Sequence, residues 1–78
     1  MKVTIVSPEK TLYEGEVQGV IVPGRSGRFE ILADHAPIIS SLSAGIVEVR
    51  AAEPYSVEVK GGFVEAEHNE VSLCVEVK

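Results

Sequence analysis

At 78 residues the chain has room for a single domain, near the lower limit for a core held without metal or disulfides. Its apolar share of 45% supports a globular core, which an aromatic share of 5% and the absence of Trp make aliphatic. Twelve acidic against seven basic residues give a net charge of −5, which repels a phosphate backbone and argues against nucleic acid as a partner, while so short a chain leaves little volume for a deep, enclosed active site.

The opening MKVTIVSPEK has one Lys ahead of a polar-broken apolar run, too short for a signal sequence or a membrane span, so no direct membrane insertion is expected. Period-two alternation then continues almost to the end, without a helical stripe. Strands are predicted over 2–7, 11–14, 16–23, 28–32, 43–51, 55–60, 62–68 and 70–77. Their separators are Ser7-Pro8-Glu9, Pro23-Gly24 with Gly27, Ala36-Pro37, Glu53-Pro54, Gly61-Gly62 and Asn69. The expected fold is all-β, a flattened β-sandwich or barrel of about eight to ten short strands, with one domain over 1–78.

Alternation also assigns faces. Val47, Val49 and Ala51 oppose Glu48 and Arg50; Tyr55, Val57 and Val59 oppose Ser56, Glu58 and Lys60. In the last strand Val71, Leu73, Val75 and Val77 point inward, which leaves Ser72, Cys74 and Glu76 outward. Cys74, the sole cysteine, reads as an inert, partly covered thiol in a reducing compartment. His68 reads as a turn residue beside Asn69, which tolerates a left-handed backbone. One segment departs from simple alternation: in EVQGVIVP, Val17 and Ile21 share one face and Val20 and Val22 the other. Such a strand is either central in the sandwich or covered by another protein, which makes Val20 and Val22 candidates for a partner contact.

Residues 23 to 37, PGRSGRFEILADHAP, invite chemical readings, and each lacks a component. Gly24 and Gly27 are three apart, with no Lys-Ser/Thr and no following helix, so no phosphate loop is formed. Asp34, His35 and Ser40 or Ser41 have no spacing that brings a nucleophile to a base. His35, His68 and Cys74 share no metal-ligand spacing. The pairs Glu14/Glu16 and Glu65/Glu67 read as an acidic solvated face or a charged edge. No catalytic, cofactor-binding or metal-binding residue is therefore expected. Two classes remain: a binding or structural module, and a small acidic carrier domain of lipoyl or biotinyl type with Lys60, in VEVKGG, as attachment site. The carrier reading lacks the D-K-[AV] or M-K-M context around Lys60.

The run from Val22 to Ile39, with Leu42 and Gly45, resembles the epsilon subunit of F-type ATP synthases. It shares a P-G-x-x-G turn followed by I-L-x-x-H-A-P and a later glycine. Gly61-Gly62-Phe63-Val64-Glu65 with Asn69-Glu70-Val71 resembles that family's second signature, and Val3 to Glu9 with Leu12 to Gly15 also fits. The resemblance implies the amino-terminal β-sandwich of a non-catalytic central-stalk subunit that couples rotation of the membrane c-ring to the gamma subunit. It further implies a peripheral location on the cytoplasmic face of the plasma (inner) membrane, through the complex. Arg25, Arg28, His35, Ala36, Pro37 and Ile38 fall on the c-ring side by this likeness; Val20 and Val22 are the gamma-side candidates.

There are two departures from the family pattern. Arg28 stands where relatives usually carry an acidic residue, so a more acidic c-ring loop is expected opposite it. The chain also stops at Lys78, without the two-helix hairpin of many epsilon subunits, so inhibition and nucleotide sensing are not expected of it.

Overall fold

The computed structural model describes residues 1–78 and contains eight strands. In chain order these are β1 (Lys2–Val6), β2 (Thr11–Glu16), β3 (Gly19–Gly24), β4 (Gly27–Leu32), β5 (Ile38–Leu42), β6 (Gly45–Arg50), β7 (Tyr55–Glu67) and β8 (Glu70–Val77). The all-β expectation holds, with three corrections to its elements. The strand predicted over 16–23 is broken at Val17-Gln18, where the chain passes from β2 to β3. Residues 38–42, outside every predicted strand, form a strand. Gly61-Gly62, expected to separate two strands, lies inside the single strand β7.

The strands form one continuous sheet folded into two layers. One layer runs β2-β1-β8-β7-β5, using the second half of β7; the other runs β4-β3-β6-β7, using its first half. Strands β1 and β8 are parallel, and all other pairs are antiparallel. Strand β7 changes layer at a bulge between Val59 and Gly61, where Val59 faces Val77 and Gly61 faces Glu76, leaving Lys60 as the extra residue. At the opposite side Gly24 of β3 pairs with Leu42 of β5, and Ser43 N–H donates to the Pro23 carbonyl at 2.7 Å.

The alternating inward positions meet as one aliphatic cluster of fifteen buried residues, among them Val3, Ile5, Ile31, Val47, Val64 and Leu73. No charged or polar residue is buried. Val20 and Val22, expected to face outward, are 0% exposed and belong to this cluster. The physical reason is the break at Val17-Gln18, which restarts the alternation and turns Ile21, partly exposed, to the outer face.

Two glycines with left-handed backbone separate conformational from steric need. Gly27 has φ 132 and open space where a Cβ would be; Gly62 has φ 144, and a Cβ there would overlap the Cys74 carbonyl oxygen and lie 2.8 Å from Val75 Cα. Gly62→Ala is therefore expected to cost more than about 4 kcal/mol, and Gly27→Ala only about 1–2 kcal/mol. Urea unfolding of the two variants measures the difference; equal losses would contradict the close strand approach at Gly62.

Candidate partner interface

The candidate catalytic groups do not converge. Asp34 Oδ1 accepts from Asn69 Nδ2 at 3.1 Å, His35 Nδ1 bonds the Ala36 carbonyl at 2.7 Å, and Ser40 Oγ donates to the Ser41 carbonyl at 3.1 Å. None of the three bonds another. No group of three His, Cys, Asp or Glu side chains is placed to hold a metal. Lys60 projects from the middle of β7 at its bulge. It is not at a hairpin tip, the position that a swinging carrier arm requires, and the carrier reading fails on that placement.

What the fold does build is a set of outer faces, edges and loops. Arg25 and Ser26 form the turn between β3 and β4, and Arg28 follows on β4, an edge strand. Arg28 donates from Nη1 to the Ile46 carbonyl and from Nη2 to Glu48 Oε2, each at 2.7 Å. Two residues along, Arg50 Nη1 donates to Glu30 Oε2 at 2.6 Å. Both bridges link β4 to β6 across β3, on either side of Ile21, whose register partners are Glu30 and Glu48. A Cβ on Gly19 would lie 2.9 Å from Glu30 Oε2, so glycine leaves room for the second bridge. Arg28 thus meets its countercharge within the chain, while Arg25 makes no ion pair.

His35, Ala36, Pro37 and Ile38 lie at the other end of β4. The six residues of β4 separate them from the Arg25 turn by roughly 20 Å at 3.3–3.4 Å per residue. A single contact that takes in both groups must run along the β4 edge instead of meeting one tip. In the 33–37 loop Asp34 has φ 64, and Ala36 and Pro37 are exposed while His35 and Ile38 are half-buried. The Ala36 carbonyl only accepts, so His35 Nδ1 donates; Nε2 is buried and without a partner.

Two exposed apolar side chains missed by sequence reasoning lie on the outer face of the layer containing β8, on either side of Glu65. Ile39 on β5 is 78% exposed and Phe63 on β7 is 48% exposed. Phe63 lies opposite Cys74 of β8, beside a shallow apolar hollow that also takes in Val6 and Pro8. Cys74 is half-buried there. The period-two rule turns Cys74 outward, but an exposed Phe carries no sequence signature that distinguishes it from a core Phe.

The profile described as ATP synthase, Delta/Epsilon chain, beta-sandwich domain matches residues 1–77. The chain belongs to this family. An ATP synthase epsilon chain of Leptospira interrogans is 48% identical over 77 residues, covering 97% of this chain and 61% of that protein. The one from Synechocystis sp. is 37% identical over 76 residues, covering 96% and 56%. The chain therefore spans only part of the length of these epsilon relatives. Among solved structures, a chain of the Euglena gracilis mitochondrial ATP synthase OSCP/F1/c-ring assembly superposes with a TM-score of 0.86 at 19% identity, covering 94% of this chain and 48% of that one. A chain of the Tetrahymena thermophila mitochondrial ATP synthase central stalk/c-ring gives 0.82 at 18%, covering 97% and 63%. At that identity these two likenesses establish the fold, which the family's β-sandwich description matches.

Arg28 and Glu48 are 43% and 51% exposed, so their pairing is screened. A double-mutant cycle with Arg28→Ala and Glu48→Ala is expected to give a coupling of about 0.5 kcal/mol at low salt that shrinks towards zero in about 0.5 M NaCl. A coupling that salt does not change would contradict the solvent-exposed bridge.

Proposed function

We propose that this chain is the β-sandwich part of an ATP synthase epsilon subunit, a non-catalytic element of the central stalk that couples c-ring rotation to the gamma subunit. The observation that carries this reading is the family match across residues 1–77, joined to the 48% identity with an epsilon chain. The site residues fit it, since none of the candidate nucleophile, base and acid groups bonds another, and the outer surfaces are those of a binding module. A mechanical role also suits the fold: interstrand hydrogen bonds resist shear, and a continuous sheet holds its surface loops in place. No helix of the chain is long and apolar enough to cross a membrane. Its place is on the cytoplasmic face of the plasma membrane, held there through the complex.

The c-ring contact is assigned to the β4 edge, with the Arg25 turn at one end and the His35–Ile38 loop at the other. Because Glu48 neutralises Arg28, the free cation offered to an acidic ring loop is Arg25; Arg28 supports the strand that carries it. The gamma contact moves from the buried Val20 and Val22 to the exposed face of Ile39 and Phe63, where apolar surface remains to be covered.

Adding the chain to an ATP synthase stripped of its epsilon subunit tests this directly. The chain is expected to bind the stripped complex. Phe63→Glu is expected to weaken that binding at least tenfold with little change in melting temperature, while Arg25→Glu weakens it chiefly at low salt. Failure of the chain to bind, or unaltered binding by both variants, would overturn the assignment.

A further inference from the structure

The loop between β4 and β5 has no hydrogen-bonded scaffold of its own. None of the seven backbone hydrogen bonds outside the strands involves residues 33–37. His35 bonds only to its neighbour Ala36. Asp34 nevertheless holds φ 64, a conformation that costs a non-glycine residue of order 1–3 kcal/mol unless its surroundings compensate. Compensation comes from one side chain, 35 residues away. Asn69 Oδ1 accepts the Asp34 amide N–H at 2.7 Å, and Asn69 Nδ2 donates to Asp34 Oδ1 at 3.1 Å. These two bonds are the loop's only hydrogen bonds to the rest of the sheet.

Asn69 is itself held from three sides. It occupies the tight turn of the β7–β8 hairpin with His68, at φ 60 and 53, between the paired residues Glu67 and Glu70. Its carbonyl accepts the Lys2 N–H at 2.9 Å, which ties the start of β1 to the same point. The hairpin tip therefore presents one acceptor to the Asp34 N–H and one donor to the Asp34 carboxylate.

We propose that Asn69 is a positioning residue for the docking loop: its paired hydrogen bonds to Asp34 set the conformation in which His35, Ala36, Pro37 and Ile38 are presented to the partner. This rests on the assignment of that loop to a partner contact. The interaction is reciprocal in shape and reversible in polarity, because an Asn at 34 donating to an Asp at 69 would make the same two contacts. It also predicts that the loop and the hairpin tip move as one body, although they belong to different strands of the sequence.

Asn69→Gly tests the clamp without straining the turn, since glycine accepts φ 60 there more readily than Asn does. The full chain is compared by amide hydrogen exchange, read at Asp34, and by titration onto ATP synthase lacking its epsilon subunit. In Asn69→Gly the Asp34 amide is expected to exchange about tenfold faster and the affinity to fall about three- to tenfold, with the hairpin amides of β7 and β8 still protected. Asn69→Asp keeps an acceptor for the Asp34 amide but replaces the second bond by two opposed carboxylates, and should show the loss of affinity; adding Asp34→Asn to it should restore the affinity. Unchanged exchange at Asp34 in Asn69→Gly would overturn the clamp. Faster exchange with unchanged affinity, or no rescue by the swapped pair, would overturn its role in docking. If the unmodified chain does not bind the stripped complex, the partner assignment falls, and the role in docking falls with it; exchange at Asp34 still decides whether the clamp exists.

Discussion

Strand β7 belongs to both layers of the sandwich, and the chain can fold only if its thirteen residues pass from one layer to the other without breaking the ladder. Residues 55–59 pair with β6 in one layer, while residues 62–66 pair with β5 in the other, and β8 runs beside the crossing. Lys60 is extruded as the bulge, and Gly62 lets the β8 backbone approach where any side chain would collide with the Cys74 carbonyl. The inward residues on either side of the crossing, Val59 and Val64, are both fully buried in the same cluster. Bulge, glycine and core are thus one constraint: shifting the register by one residue would turn every valine of β7 to water.

The surfaces follow from that closure. Folding the sheet on itself consumes the inner faces and leaves two outer ones with different chemistry. One carries the Arg28–Glu48 and Arg50–Glu30 bridges over Ile21; the other carries Ile39 and Phe63 with the exposed carboxylate of Glu65, the register partner of Ile39, between them. Surface bridges of this kind add little stability, about 0–1 kcal/mol each, but they leave no strong net charge on the first face. Arg25, at the turn between β3 and β4, is a cation without an ion pair. The contacts proposed above, one on an edge and one on a face, need this separation and a body stiff enough to relate them.

Much of the fold was legible in the sequence because half-buried strands alternate. The residues Ile46 to Arg50, Tyr55 to Val59 and Val71 to Val77 face the way their pattern implies. The pattern failed where alternation was absent or interrupted. Ile38 to Leu42, IISSL, follows a proline and does not alternate strictly, yet pairing with β7 makes it a strand. Gly61-Gly62 has the composition of a turn, and only the partner strands on both sides reveal a bulge. The interruption at Val17-Gln18 put Val20 and Val22 on the wrong face. The links that organise the surface were beyond reach for a different reason: Arg28 to Glu48 and Asp34 to Asn69 join residues 20 and 35 positions apart, through contacts that only the tertiary fold creates.

The central claim is that the crossing strand makes the two layers one mechanical body, as the proposed stalk role requires. Native-state amide exchange along β7 tests it most directly. The amides of residues 55–59 and 62–67 that bond within the ladder are predicted to open together, with one free energy equal to that of global unfolding. If one half of β7 opened at markedly lower free energy than the other, the layers would be separate units and the account would be contradicted.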